Sequence, residues 1–123
     1  MALRLPEAEA TLAGVELLLL ESNHDVQWLQ SGPYPYPLKR RILGDRGHLS
    51  NDAAAEFACR MADRGTRQFV LVHLSRENNT PVRALDTVGY ALRCGGFEGV
   101  RLTAAPRGEC SEAYIAEGAP CRK

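Results

Sequence analysis

The chain has 123 residues, 15 basic and 15 acidic for a formal net charge of zero, with 45% apolar and 24% charged residues. That length supports one small domain with one core, and the composition is that of a globular protein rather than a disordered or fibrous one. Zero net charge excludes a global field that draws the chain to nucleic acid or to a membrane, so any polyanion must be held locally.

No apolar run approaches the roughly 20 residues needed to cross a bilayer. The start, Met1-Ala2-Leu3-Arg4-Leu5-Pro6, lacks the apolar stretch of a signal peptide. A cytoplasmic location is therefore expected. The first predicted element is a buried strand over 15–22, where Leu17-Leu18-Leu19-Leu20 gives way to Glu21. Residues 25–31 suit a short helix, stopped by Ser31-Gly32-Pro33. Prolines 33, 35 and 37 then forbid regular helix and predict an extended loop leading into a short helix near 38–43. The dense basic cluster of the chain, Lys39-Arg40-Arg41 with Arg46, falls here.

The clearest helix spans 51–64. Ala54, Phe57, Ala58 and Met61 share a face, Asn51 is suited to the cap and Gly65 to the end. A second buried strand follows over 67–75, with Phe69, Val70, Leu71 and Val72 in a row. Thr80-Pro81 is an N-cap followed by proline at the first helical position. Val82, Leu85, Val88 and Leu92 continue that helix toward Gly95-Gly96. A third strand is predicted over 99–105, and the tail after Arg107 carries little pattern. Strands alternating with helices predict an α/β sheet with covered faces. Functional groups in such sheets gather beyond the carboxyl ends of the strands. The four cysteines, Cys59, Cys94, Cys110 and Cys121, form no C-x-x-C pair and read as reduced thiols.

Three histidines stand in three loops: His24 after the first strand, His48 in "DRGHLSN" and His73 at the end of the second strand. Each has polar neighbours. Imidazole binds zinc well and moves protons near neutral pH. A histidine at a strand end is equally a common hydrogen-bonding or cap residue, and "GHLSN" also reads as a turn with an N-cap. A shared site needs the first two strands to be neighbours. His73, His24, Asp25 and Asp45 are the candidate donors. The chain has no H-x-H-x-D-H or H-E-x-x-H run, and it is short of ligands for two metals.

Three segments, "LLLLESNHD", "PYPLKRRILGDRGHLSNDAAAEFA" and "LVHLSRENNTPVRALDTV", together resemble the C-terminal half of a metallo-β-lactamase-fold hydrolase of the YycJ/WalJ-like branch, related to ribonuclease Z. The resemblance runs from about residue 13 to about 115. It implies an αβ/βα sandwich, of which residues 1–123 are one partial domain without the N-terminal metal-binding half. It also implies a metal-dependent phosphodiesterase, exonuclease-like, acting on DNA in preference to RNA.

Position by position, the resemblance makes His73 a metal ligand and His48 the group that contacts the scissile phosphate and donates a proton. Glu21 is the carboxylate that orients His48. His24, Asp25 and Ser75 are expected around the site as supporting or substrate-contacting groups. Arg41 and Arg46, with Arg40, are candidates to hold flanking phosphates, against the alternative of a solvated basic face. Tyr34 and Tyr36 either stack on bases or pack against their prolines. The implied cofactor is a divalent metal, zinc with manganese as second choice, needing ligands from the absent half. The segment alone is expected to be inactive. Its expected partners are DNA and either a complementing N-terminal half or a second copy, with no membrane. The alternative is a non-catalytic subunit that binds a partner through the sheet face left by the missing half.

Overall fold

A computed structural model describes residues 5–32 and 48–105, apart from the side chains of Leu5 and Pro6. The predicted helix near 38–43, Tyr34, Tyr36, Lys39, Arg40, Arg41, Asp45, Arg46, Cys110 and Cys121 lie outside the described residues. In chain order the elements are α1 (Leu5–Leu12), β1 (Leu17–Glu21), α2 (Val26–Ser31), α3 (Asn51–Asp63), β2 (Gln68–Val72), α4 (Pro81–Cys94) and β3 (Arg101–Ala104). The expected α/β class holds. The sequence reading assigned no element to the segment that forms α1. Among the described residues no helix is long and apolar enough to cross a membrane.

The sheet is parallel, in the order β1-β2-β3. Leu17 to Glu21 pair in step with Gln68 to Val72, and Gln68 to Leu71 pair with Arg101 to Ala104. Successive strands advance in one direction across the sheet. Crossovers of one hand then put α3 and α4 on the same side. The core records this: Leu18, Leu20, Phe69 and Leu71 from one sheet face meet Ala54, Phe57, Ala58 and Met61 of α3 and Ala84, Val88 and Leu92 of α4. Ala8 of α1 joins the same cluster, and Glu9 accepts from Arg64 at 2.8 Å.

Covered faces were expected, and among the described residues the helical core covers one of them. On the opposite face Val70 is buried, while Leu19, its register partner on the edge strand, is 60% exposed. Among the described residues, nothing packs over Leu19 as α3 and α4 pack over Leu18 and Leu20.

Local chemistry sets the element ends. Thr80 caps α4 as expected, its Oγ1 accepting from Arg83 N at 3.1 Å ahead of Pro81. The cap of α3 is Ser50 rather than Asn51: Ser50 Oγ accepts from Ala53 N at 3.1 Å. Asn51 is the first helical residue and its side chain turns inward, 1% exposed. Gly65 sits past the end of α3 at φ 107°, a left-handed conformation that costs glycine little. Val82, expected on the buried face of α4, is 67% exposed, and Ala84 is buried in its place. The second strand stops at Val72 rather than 75, because His73 turns to φ 59° and leaves the strand conformation.

Candidate functional site

Beyond its carboxyl end, β1 continues as an extended segment, Ser22 to Asp25, pinned on both sides. On one side Asn23 N donates to Leu49 O at 2.8 Å and Asn51 N donates to His24 O at 2.8 Å. On the other, Ser75 N donates to Asn23 O at 2.7 Å and Asp25 N to Asn78 O at 2.9 Å. The segment thereby draws the turn before α3 and the turn after β2 to one sheet margin. His48 stands on the first turn and His73 on the second.

Glu21, His48 and His73 meet there, each offering a ligand atom within 4.8 Å of the others. His73 Nδ1 donates to Glu21 Oε2 at 2.6 Å. Leu49 N donates to Glu21 Oε1 at 2.6 Å. His48 Nδ1 lies 3.4 Å from Oε1 and 3.5 Å from Oε2. The two imidazoles meet edge to face, centroids 4.9 Å apart. Burial pushes the Glu21 carboxyl up, but the bond from His73, the Leu49 N–H and the nearby His48 together outweigh it, and the group sits below the usual carboxylate value. The carboxylate expected to orient His48 is thus bonded more closely to His73. The register explains this: Glu21 pairs with Val72, so the next residue of the β2 chain falls beside it.

The other expected residues take different positions. His24, expected around the site as a supporting or substrate-contacting group, is 1% exposed. Its Nδ1 is 3.2 Å from Asn23 Oδ1, and its Nε2 has no partner among the described residues. Burial first, and then His48, push its pKa below the ordinary histidine value, against the opposing pull of Glu21 and Asp25. Asp25 caps α2: Oδ1 accepts from Trp28 N at 2.9 Å, and Oδ2 is 3.4 Å from Arg83 Nη1. The Arg83 guanidinium lies 4.1 Å above the Trp28 ring, a cation–π contact that ties α4 to α2. Ser75 Oγ accepts from Asn78 N at 3.2 Å and shapes the turn after β2.

Sequence reasoning passed over the buried polar layer below the pocket. Ser22 Oγ donates to Asn51 Oδ1 at 2.6 Å, and Asn51 and Asn79 pair through their side-chain amides, both bonds 2.9 Å. Asn79 Nδ2 also donates to Ser22 O at 2.9 Å. Each of the three segments contributes a member. The available signal was the small polar residue at three element junctions, Ser22 in "ESNHD", Asn51 in "LSND" and Asn79 in "ENNT".

The donor set is two half-exposed imidazoles beside a carboxylate, which is the nitrogen and oxygen chemistry that zinc accepts. Because Glu21 holds His73 through Nδ1, the other ring nitrogen, Nε2, is the one left for a cation. This is the usual way a carboxylate fixes a ligating histidine. The set therefore fits a metal, with fewer donors than a closed site needs.

Comparison with known proteins finds relatives for part of the chain. The chain is 52% identical over 61 residues to the exodeoxyribonuclease WalJ of Streptococcus pneumoniae, covering 50% of this chain and 23% of that protein. It is 38% identical over 89 residues to the exodeoxyribonuclease YycJ of Bacillus anthracis, covering 72% of this chain and 34% of that protein. The chain is a relative of the YycJ/WalJ-like branch. It spans about a quarter to a third of the length of the branch members it matches. No family model matches it, and no solved structure does.

Proposed function

We propose that this chain carries one side of the active-site margin of a metal-dependent phosphodiesterase of the metallo-β-lactamase fold, acting on DNA as an exonuclease. The convergence of Glu21, His48 and His73 at one strand-end margin carries the reading, and the names of the YycJ and WalJ relatives supply its substrate class. In this reading His73 presents Nε2 to a divalent cation, zinc or manganese, while Glu21 holds its Nδ1. When bound, that cation supplies positive charge to the phosphoryl oxygens. His48, held less tightly by the same carboxylate, gives a proton to the leaving oxygen. Arg41 and Arg46 hold flanking phosphates. Further donors come from a complementing N-terminal half, without which the segment is inactive.

The test has two parts. Zinc titrated into the chain binds at a single class of site, and His73→Ala weakens it; unchanged affinity removes His73 as a ligand. Joined to the complementary part of a YycJ or WalJ relative, the segment yields cleavage of an end-labelled oligonucleotide. His48→Ala lowers that cleavage roughly 10²- to 10⁴-fold, and equal rates remove His48 from the mechanism.

The exposure of Leu19 favours a second reading alongside the first. Here the uncovered sheet face binds a complementing half or a second copy, and the chain serves as a subunit. Sedimentation of wild type against Leu19→Asp tests it: a monomer in both cases rejects self-association.

A further inference from the structure

We propose that Asn23 is the positioning residue of this site: its side-chain amide clamps the main chain of His73 in the left-handed conformation that delivers the imidazole to Glu21, and the buried His24 fixes which way the amide faces. His73 is the one non-glycine residue with positive φ among the described residues, at 59°. An L-residue adopts that region rarely and needs its surroundings to hold it. The hold is visible. Asn23 Nδ2 donates to His73 O at 2.9 Å, two residues beyond Glu21 on the adjoining strand extension.

The amide has two possible orientations, and only one works. The NH₂ must face the His73 carbonyl, so Oδ1 must face His24 Nδ1, 3.2 Å away. Oδ1 only accepts, so Nδ1 of His24 carries the hydrogen. The His24 ring, 1% exposed, has little room to turn, and among the described residues its Nε2 has no partner, which leaves the Nδ1 bond to orient the ring. The main chain of Asn23 adds two further ties, to Leu49 O at 2.8 Å and from Ser75 N at 2.7 Å. One residue thus spans both histidine-bearing turns. The resulting relay runs from His24 to Asn23 to the His73 main chain, and from the His73 ring to Glu21. Asn23 touches neither substrate nor metal in this scheme; it acts through His73. The inference rests on the Glu21–His73 pair being the functional site.

The experiment is proton–nitrogen correlation spectroscopy of the three imidazoles in the ¹⁵N-labelled 123-residue chain, with two variants. Asn23→Asp keeps the shape and the acceptor for His24 but puts an oxygen against the His73 carbonyl. It is expected to keep the His24 Nδ1–H signal and lose that of His73. Asn23→Ala is expected to lose both. A His73 Nδ1–H signal unchanged in both variants overturns the proposal. Should neither variant fold, the wild type decides. The Asn23 side-chain NH₂ is expected to exchange with water at least tenfold more slowly than that of exposed Gln27, and equal rates overturn the proposal. None of these readouts needs metal or DNA, so zinc failing to bind while the signals stay intact sinks the hydrolase reading alone.

Discussion

Glu21 serves three donors with two oxygens, and this crowding sets how the site responds to acid. Its carboxyl lies below its ordinary value in the fold. The unfolded chain therefore takes up that proton first, and the stability Glu21 contributes is present above about pH 4.5 and lost as pH falls through its folded value. His24 acts at higher pH. Its folded pKa is lowered from 6.5, so below that pH the unfolded chain binds a proton that the fold refuses. Stability is expected to fall as pH drops from about 6.5 toward the folded value of His24. Urea denaturation at pH 7.5 and 5.5 checks this: the midpoint should be lower at 5.5, and His24→Gln should narrow the gap. A second expectation concerns the metal. Glu21→Gln keeps an acceptor for Leu49 N but weakens the hold on His73, and zinc affinity should fall roughly 10- to 100-fold. Competition with a chromophoric chelator measures it.

Each element is held by a few residues whose removal has a defined effect. Met61 is fully buried between helix and sheet, so Met61→Ala should destabilise by about 2–5 kcal/mol. Thr80→Ala removes the α4 cap and should destabilise by about 1 kcal/mol. Val82→Ala, two residues along and exposed, should stay within about 0.5 kcal/mol. Gly65 separates backbone from packing effects. No atom lies within 4 Å of a Cβ built there, so Gly65→Ala should lose only the left-handed backbone preference, about 1–2 kcal/mol. Thermal and urea unfolding of these four variants ranks them. The caps matter to function as well, because Ser50 and Asp25 begin helices within two residues of His48 and His24 respectively.

Across the whole molecule, one sheet face is covered by helices and the other presents an exposed leucine on an edge strand. Leu20→Ala, on the helical face, should destabilise by about 2–5 kcal/mol. Leu19→Asp should leave the chain's own stability within about 0.5 kcal/mol, while reducing any association through that face. Paired denaturation and sedimentation measurements separate the two effects. The site sits at the margin of this same sheet, where three turns meet through main-chain bonds and a buried amide layer. Its geometry is therefore a property of the assembled sheet and not of any one loop.

The sequence by itself determined the order and type of six elements, the Thr80-Pro81 helix start, the glycine that ends α3 and the three histidines worth examining. Those are local matters: apolar spacing, proline geometry and cap chemistry act over a few residues. The sequence did not determine which groups pair, because Glu21 meets His48 and His73 across separations of 27 and 52 residues. Only the parallel register of β1 and β2 brings Glu21 beside the end of Val72, and only the turn at His73 swings that ring back to the carboxylate. Burial was decided at the same level. Nothing local distinguishes His24 from His48, yet one is enclosed between two turns and the other faces outward. Asp25 and Ser75 shape their own turns through local bonds from Trp28 N and Asn78 N, whereas Asn51 turns inward and leaves the cap to Ser50 because the fold brings Ser22 and Asn79, far away in the chain, beside its side chain.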